Sequence, residues 1–470
     1  MSIAAEKLVT VALNARSAGR LAQLRPFVRG LFQEDSDRAR TGREALLAFS
    51  VRVLSAAILY LSQIVLARWM GSVQYGIYVF VWTWVLVLGG LSNLGLSTAM
   101  IRLVPAYRAT NQLDLLRGLL RYGRLMAFAA ATATALLGLA GLSLFGSMMS
   151  GAYMIPLYLG LVCVPMITLT DLHDGIGRGN GWIAVALVPP YVLRPLMVLW
   201  AMLAAHAFGW TMSAATATGA AIVATWATAA LQSILVSRRL AAQLPPGPAT
   251  RPADFWLRTS LPLLVISGSE LLLQTTDVLV ISSYLAPEHV AVYFASAKTM
   301  ALVMFIHYAV GSAMAKRFAA LSAKGDHEAL RKVARDAVNW TFWPSLAAAV
   351  GLLALGKPLL WLFGPQFVDG YPIMFILVLG FLGRAAMGPS EFLLNMLGQQ
   401  KACAAVISSM AVLNIMLQLL SVPRFGLVGA AAATAISLVL GAMLNTVVAR
   451  RRLGLRIAIW DNCSPKKYSA

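Results

Sequence analysis

Twelve stretches of mostly apolar residues dominate this chain: 46–66, 76–100, 121–145, 152–172, 183–206, 210–236, 260–285, 291–315, 337–356, 371–396, 402–422 and 427–449. Each has the length a helix needs to cross a bilayer, about 20 residues. Lipid offers no partners to the backbone, so repeated crossings of this length require helices that satisfy their own N–H and C=O groups. Length alone, 470 residues, suggests about three soluble domains. Composition overrides that reading. The chain is 59% hydrophobic and only 12% charged, with mean hydropathy +0.74, whereas soluble domains carry roughly 25% charged residues. The expected fold is an all-α polytopic membrane protein.

The second half of the chain repeats the first. At an offset of 215, Tyr78 falls on Tyr293, Ser97 on Ser312, Arg102 on Arg317, Leu115 on Leu330 and Arg117 on Lys332. At 218, Phe145-Gly146 and Tyr153 fall on Phe363-Gly364 and Tyr371, and at 213 Arg238-Arg239-Leu240 falls on Arg451-Arg452-Leu453. A drift of a few residues fits two copies of one unit with small changes in loop length. This predicts two six-helix lobes around a central cavity, a recurrent transporter plan with the substrate path at the lobe interface. The organisation is a basic cytoplasmic leader (1–44), an N-terminal lobe (45–240), a linker (241–258), a C-terminal lobe (259–453) and a tail (454–470). Pro245-Pro246-Gly247-Pro248 and Pro252 make the linker stiff and rich in turns. Small residues in segment 6 (Ala214-Ala215-Thr216-Ala217) and segment 12 (Gly429 to Ala435) match at an offset of 217, and are expected to pack tightly within each lobe.

Basic loops set the orientation. With the N-terminus in the cytoplasm, the loops on that side, counted with Arg121 and Arg124 at the start of the third stretch, carry 17 Lys and Arg, against Arg68, Lys357 and Arg424 on the other. The tails add eight in 1–44 and six in 450–470. Both termini are therefore expected in the cytoplasm. The net charge of +20 is read as topology and contact with anionic lipid, with no nucleic-acid partner. The leader lacks the unbroken apolar core of a signal peptide. Its Leu8, Val11, Leu21, Leu24, Phe27, Leu31 and Phe32 alternate with Arg16, Arg20, Arg25 and Arg29, which reads either as a basic helix on the inner leaflet or as a disordered segment. Cys163 and Cys403 lie within spans and Cys463 in the tail, so no disulfide framework is implied.

Segments 1 and 2 carry a family likeness. Arg52, then Ala67-Arg68-Trp69-Met70-Gly71-Ser72-Val73-Gln74-Tyr75-Gly76-Ile77-Tyr78, then Asn93-Leu94-Gly95-Leu96-Ser97-Thr98-Ala99-Met100-Ile101-Arg102 resemble the opening of bacterial polysaccharide (O-antigen and exopolysaccharide) flippases. These belong to the multidrug/oligosaccharidyl-lipid/polysaccharide, MATE-like, superfamily. Thr276-Asp277, Glu288, Tyr293, Ala297-Lys298 and Lys316-Arg317 extend the likeness into the second half. Ser72-Val73-Gln74 departs from the Pro-Glu-Glu common in the family. The resemblance implies a non-enzymatic inner-membrane protein that flips an undecaprenyl-pyrophosphate-linked oligosaccharide from the cytoplasmic to the periplasmic leaflet, by alternating access, for polysaccharide or lipopolysaccharide assembly. Its partners would be that lipid, the surrounding membrane lipids and other polysaccharide assembly proteins.

Charges within spans are expensive, about 2.5–3.5 kcal/mol each on insertion scales, and so face a wet cavity or a partner. Away from the span ends, four are basic (Arg52, Arg194, Lys298, Arg384) and three acidic (Glu270, Asp277, Glu391). The excess of cations suits an anionic headgroup, with Arg offering a planar fork and Lys a point charge. All four cations are therefore candidate substrate contacts. The resemblance puts Arg52 first, the alternative being that it snorkels to the interface. Arg194, beside Pro195 and after Pro189-Pro190, sits where a bend is expected, and Arg384 follows Gly380 and Gly383. Each either lines the cavity or forms a structural ion pair. Asp277 and Lys298, about ten residues either side of one turn, reach similar depth. They form either a salt bridge or a coupling site for H⁺ or Na⁺. Glu270 and Glu391 are further ion-coupling candidates, although the seven residues from Glu270 to Asp277 separate those two by about 10 Å.

Other polar groups are read more plainly. His307 is either a proton carrier or a hydrogen-bond partner of a neighbouring helix. Asp171, His173 and Asp174 beside Gly175 suggest a helix-end turn rather than a metal site. Trp82, Trp84, Trp340, Trp343 and Trp361 either stack on sugars or anchor the interface. No P-loop, dinucleotide motif or nucleophile–His–acid set is present, so no cofactor, metal or catalytic residue is assigned. Two rival functions remain: a cation-coupled multidrug exporter of the same fold, which calls for a more acidic cavity, and a polysaccharide polymerase or ligase, which calls for a large external loop.

Overall fold

The computed structural model describes residues 37–146, 150–250 and 252–462, with side chains from residue 53 onward apart from Phe145 and Asn462. Most of the basic leader, and Cys463, lie outside them. The described residues form helices and turns with no strand. In order the helices are α1 (Asp37–Ser92), α2 (Leu96–Ala109), α3 (Leu113–Phe145), α4 (Gly151–Gly179), α5 (Ile183–Val188), a π-helical turn (Pro189–Leu193), α6 (Arg194–Ala207) and α7 (Ala214–Gln243). The second half holds α8 (Ala253–Tyr284), α9 (Pro287–Met300), α10 (Met304–Ala323), α11 (His327–Ala354), α12 (Gly356–Phe363), α13 (Tyr371–Ala386), α14 (Ser390–Met396), α15 (Gln400–Leu453) and the short α16 (Ile459–Asn462). Ten helical units among them are long and apolar enough to span a membrane. Two of the ten are folded pairs. α1 turns at Gly71 (φ 73°) and α15 at Gly426 (φ 56°), a backbone region only glycine enters cheaply. Counting their limbs separately recovers the twelve predicted crossings.

Two crossings differ from the continuous helices expected from sequence. The segment predicted over 76–100 breaks after Ser92, and the chain re-enters helix at Leu96. Gly95 has φ 72°, and a Cβ there would lie 2.2 Å from the Ser260 carbonyl oxygen. The break is thus fixed by close approach to α8. The Asn93 side-chain oxygen accepts the Ser97 N–H at 2.8 Å and caps the new helix. The segment predicted over 371–396 breaks at Met387–Pro389, where Gly388 has φ 60° and Pro389 has no N–H to continue a helix. The bend expected near Arg194 is the π-helical turn. Pro189 and Pro190 there cannot donate to the preceding turn, and the ladder widens.

The buried apolar residues fall into three clusters, and their arrangement describes the shape. The largest runs through both halves, from Leu66, Tyr75 and Val81 to Tyr293, Phe363, Phe367 and Leu377. The other two are separate. One holds Leu96, Met100, Leu116, Leu172 and Trp256, the other Phe318, Leu330, Leu393, Cys403 and Leu455. Both lie toward the ends of the helices that carry the basic loops. The halves therefore share one core on the face poor in basic residues and have a core each toward the basic face. Trp256, at the start of α8, is fully buried in the first half's cluster and donates its indole N–H to the Tyr107 hydroxyl at 3.2 Å.

The shared side is sealed by backbone-close packing. Gly76 lies against Pro287, so that a Cβ on it would sit 1.8 Å from the Pro287 carbonyl oxygen. Tyr75 packs edge-on against Phe294 and Phe367, with ring centroids 6.3 and 6.1 Å away. Arg68 donates to the carbonyls of Leu362 and Trp361 at 2.8 and 2.9 Å and covers the Trp361 ring. Within the halves, small residues allow equally close contact. Ala214, Ala217, Ala221 and Ala224 of α7 are buried, and a Cβ on Gly380 would approach Ala435 Cα to 2.6 Å.

Gly76→Val is expected to force α9 away from α1 and to cost about 1–3 kcal/mol, the usual penalty for overpacking. A lowered melting temperature in detergent, with increased labelling of a cysteine introduced at Gln366, would register the loosened seam.

Candidate functional site

Where the two halves part company, the charged side chains expected within spans come into view. Lys298, near the end of α9, has an exposed side chain although its neighbours Thr299 and Met300 are buried. Its Nζ stands 5.0 Å from the centre of the Phe294 ring, one helical turn back on the same face. The adjacent Thr299 hydroxyl hydrogen-bonds Tyr60 on the first limb of α1 at 2.9 Å, which brings both halves to this point.

The expected salt bridge from Lys298 to Asp277 is not formed at contact distance. The two are near enough for their charges to interact, but the Asp277 carboxylate is occupied elsewhere. It accepts the Val278 N–H at 2.8 Å, and the Tyr293 side chain lies close by. Tyr293 in turn lies 3.3 Å from the Thr434 hydroxyl of α15. Tyr293 thus links α9 to α15, and the Lys298 ammonium faces an aromatic ring.

In the first half, Arg194 is the first residue of α6, immediately after the π-helical turn. It is half-buried, and its guanidinium carbon lies 5.7 Å from the Trp82 ring centre. Trp82 stacks on Tyr78 at 6.2 Å between centroids. Such a cation–ring contact stabilises a charge by about 0.5–2 kcal/mol while leaving its N–H donors uncommitted. Asp171 of α4 is within electrostatic reach of Arg194 but makes no ion pair with it. Asp174 is the acid that forms a pair here, with Arg178 Nε at 2.9 Å. The neighbouring His173 is buried, with Nδ1 3.5 Å from the Ser233 hydroxyl. These three residues lie inside α4 and not in the turn expected from sequence. No group of side chains suited to hold a metal occurs among the described residues.

Arg384 is neutralised. Its Nη2 contacts both Glu391 carboxylate oxygens at 2.7 Å, across the break between α13 and α14. His307 of α10, buried, approaches the same carboxylate from Nε2 at 3.3 Å. Glu270 of α8 is more exposed and within charge range of both members of the pair. Arg384, His307 and Glu391 thus form one network with Glu391 as the shared acceptor, and Glu270 is a separate, open carboxylate beside it. The sequence offered His307 a neighbouring helix without naming the partner. The Gly388-Pro389 pair, a breaker signal, brings Glu391 back toward Arg384 and was the missed cue. Arg52 lies on α1, but its side chain is outside the described residues.

The comparisons agree with this architecture. A family model described as MatE matches residues 262–420, in the half opposite to the motifs of segments 1 and 2. A relative from Haloferax volcanii, named "Probable low-salt glycan biosynthesis flippase Agl15", is 28% identical over 173 residues, 36% of either protein. The chain thus spans about a third of the length of that curated relative. Among solved structures, an inward-facing multidrug resistance MATE transporter superposes with TM-score 0.68 at 15% identity, covering 87% of this chain and 94% of that one. The lipid II flippase MurJ in an inward closed conformation also gives 0.68 at 15% identity, covering 86% and 87%. The fold is accordingly MATE-like and two-lobed.

Breaking the buried pair from one side is expected to cost more than removing it whole. Glu391→Gln or Arg384→Met alone should destabilise by up to about 3 kcal/mol, less than for a fully dry pair because both side chains keep some exposure. The double variant Arg384→Met/Glu391→Met should recover part of that loss. Thermal unfolding of the three proteins in one detergent would measure the coupling.

Proposed function

We propose that the chain is a flippase for an undecaprenyl-pyrophosphate-linked oligosaccharide, moving it from the cytoplasmic to the periplasmic leaflet of a bacterial inner membrane for polysaccharide assembly. One observation carries this reading: the two candidate cations whose surroundings are described and that lack a carboxylate partner, Arg194 and Lys298, are held by aromatic rings, one in each half. A guanidinium and an ammonium positioned this way keep their donors for a phosphate oxygen, and a pyrophosphate entering a low-dielectric path needs such compensation. The glycan-flippase and lipid II flippase names of two of the compared proteins support the same class of cargo.

The shape suggests the direction. By the positive-inside rule the basic face is cytoplasmic; toward it each half has its own core and the halves meet where Gly95 packs on Ser260 of α8, while the broader shared seam is closed on the other side. A headgroup would enter between α2 and α10 and meet Lys298 and Arg194. It would leave after Gly76 and Pro287 separate. Rocking of the two halves about a fixed midplane site accounts for such a path. Glu270, the accessible carboxylate near the Arg384–Glu391 network, is our candidate for H⁺ or Na⁺ coupling.

In a strain lacking this gene, the lipid-linked glycan is expected to accumulate in the cytoplasmic leaflet, and the wild-type gene should relieve it. Arg194→Ala and Lys298→Ala should each reduce flipping about tenfold, the effect of losing one charge-assisted hydrogen bond. Arg384→Met/Glu391→Met should retain more activity if the protein is folded. Normal glycan distribution with altered drug sensitivity would replace this reading with the multidrug exporter.

A further inference from the structure

Away from the path between the halves, an open cleft of about 310 Å³ lies between the first turns of α3 and the last turns of α7. Arg117, Arg121 and Arg124 line it from one side, with Leu240, Ala241 and Leu244 opposite. Positions 117, 121 and 124 recur on one helical face, and Phe128 continues that face toward the membrane. Leu125 and Phe128 of α3 and Leu231 and Ile234 of α7 are all exposed beyond the cleft, as side chains facing acyl chains would be. The cleft therefore has a cationic floor at the membrane edge and an apolar wall rising from it.

The three arginines are not equally committed. Arg117 donates from Nε to the Pro245 carbonyl and from Nη1 to the Pro248 carbonyl, at 2.9 and 3.1 Å, and so anchors the linker between the halves. Arg124 donates to the Ser237 hydroxyl at 3.3 Å, but its Nε and Nη2 are buried with no hydrogen-bond partner. Arg121 is exposed and makes no hydrogen bond or ion pair among the described residues. The nearby acid Asp114 is engaged by the Thr250 hydroxyl at 2.8 Å. Buried guanidinium donors without acceptors are costly unless an anion completes them.

Comparison with the second half shows that the fold does not require these charges. At the repeat offset of 215, Arg117, Arg121 and Arg124 correspond to Lys332, Asp336 and Asn339 of α11. The equivalent place thus holds one cation, one acid and one amide. Three cations in this register belong to the first half; α11 carries Arg331, Lys332 and Arg335 in another.

We propose that this cleft binds the phosphate headgroup of an anionic phospholipid of the cytoplasmic leaflet. Arg121 and the free donors of Arg124 hold the phosphodiester, and the acyl chains run along Phe128 and Ile234. Basic pockets between helices at this level are suited to anionic lipid headgroups. The site is distinct from the path containing Lys298 and does not depend on the cargo assigned there.

The test uses the full-length protein in nanodiscs of phosphatidylcholine alone or with added phosphatidylglycerol, read by thermal unfolding and by lipid adducts in native mass spectrometry. Phosphatidylglycerol should raise the wild-type melting temperature and give a retained adduct. Arg121→Gln should weaken that adduct about tenfold, and Arg124→Gln by at least as much. Because Arg121 has no bonds to lose, its variant should fold normally. Lys332→Gln, the same charge change in the other half, should leave the adduct intact. An equal stabilisation by inorganic phosphate would make this a site for a soluble anion and overturn the lipid assignment. An adduct that survives Arg121→Gln and Arg124→Gln alike would place the lipid elsewhere and overturn the site.

Discussion

The backbone contact of Gly76 with Pro287 is the constraint on which the arrangement of the two halves rests. A side chain on that glycine would occupy the space of a carbonyl oxygen 1.8 Å away, so the helices approach as near as bare backbone permits. Around this point Tyr75, Phe294, Phe367 and Phe363 build an aromatic layer shared by both halves. Arg68 and Gln366 add polar contacts across the rim. In a membrane, apolar surface gains little from meeting other apolar surface, so helix association depends on such close packing and on interhelical hydrogen bonds. Joined firmly on this side, the halves leave separate cores toward the basic face.

The charges follow from the same geometry. Each carboxylate or cation inside the bundle either finds a partner or faces the opening. Arg384 finds Glu391, and Asp277 finds the Val278 N–H. Lys298 and Arg194 find only rings. Had Asp277 bonded Lys298, as its depth allowed, Lys298 would have had a carboxylate partner as Arg384 has.

The repeat also shows how two copies of one unit diverge. The turn at Gly71 in the first half is answered by the Leu285-Ala286 turn ahead of Pro287 in the second, and the loop with Gly209 (φ 75°) is answered by the kink at Gly426 (φ 56°). The interruptions are not shared. The π-helical turn at Pro189 belongs to the first half and the Gly388-Pro389 break to the second. Each interruption places a different arginine, Arg194 after the first and Arg384 before the second. The same device thus produces an open cation in one half and an ion pair in the other.

Sequence by itself determined the helical class, the number of crossings and the two-fold organisation. Apolar length and repeat offset are properties of the chain, and lipid leaves the backbone no alternative to helix. It also identified which ionisable residues lie within spans, because charge in an apolar run is visible in one dimension. Which of them would pair was settled only by tertiary structure. Arg384 and Glu391 were both flagged, but their contact depends on the helix break at Gly388-Pro389. Asp277 and Lys298 have suitable spacing, but the carboxylate accepts the Val278 N–H and forms no ion pair with the ammonium. The buried donors of Arg124 became visible only when α3 and α7 were packed together. Spacing along a helix fixes depth and face, whereas partnership depends on the rotation and approach of neighbouring helices, which no single segment encodes.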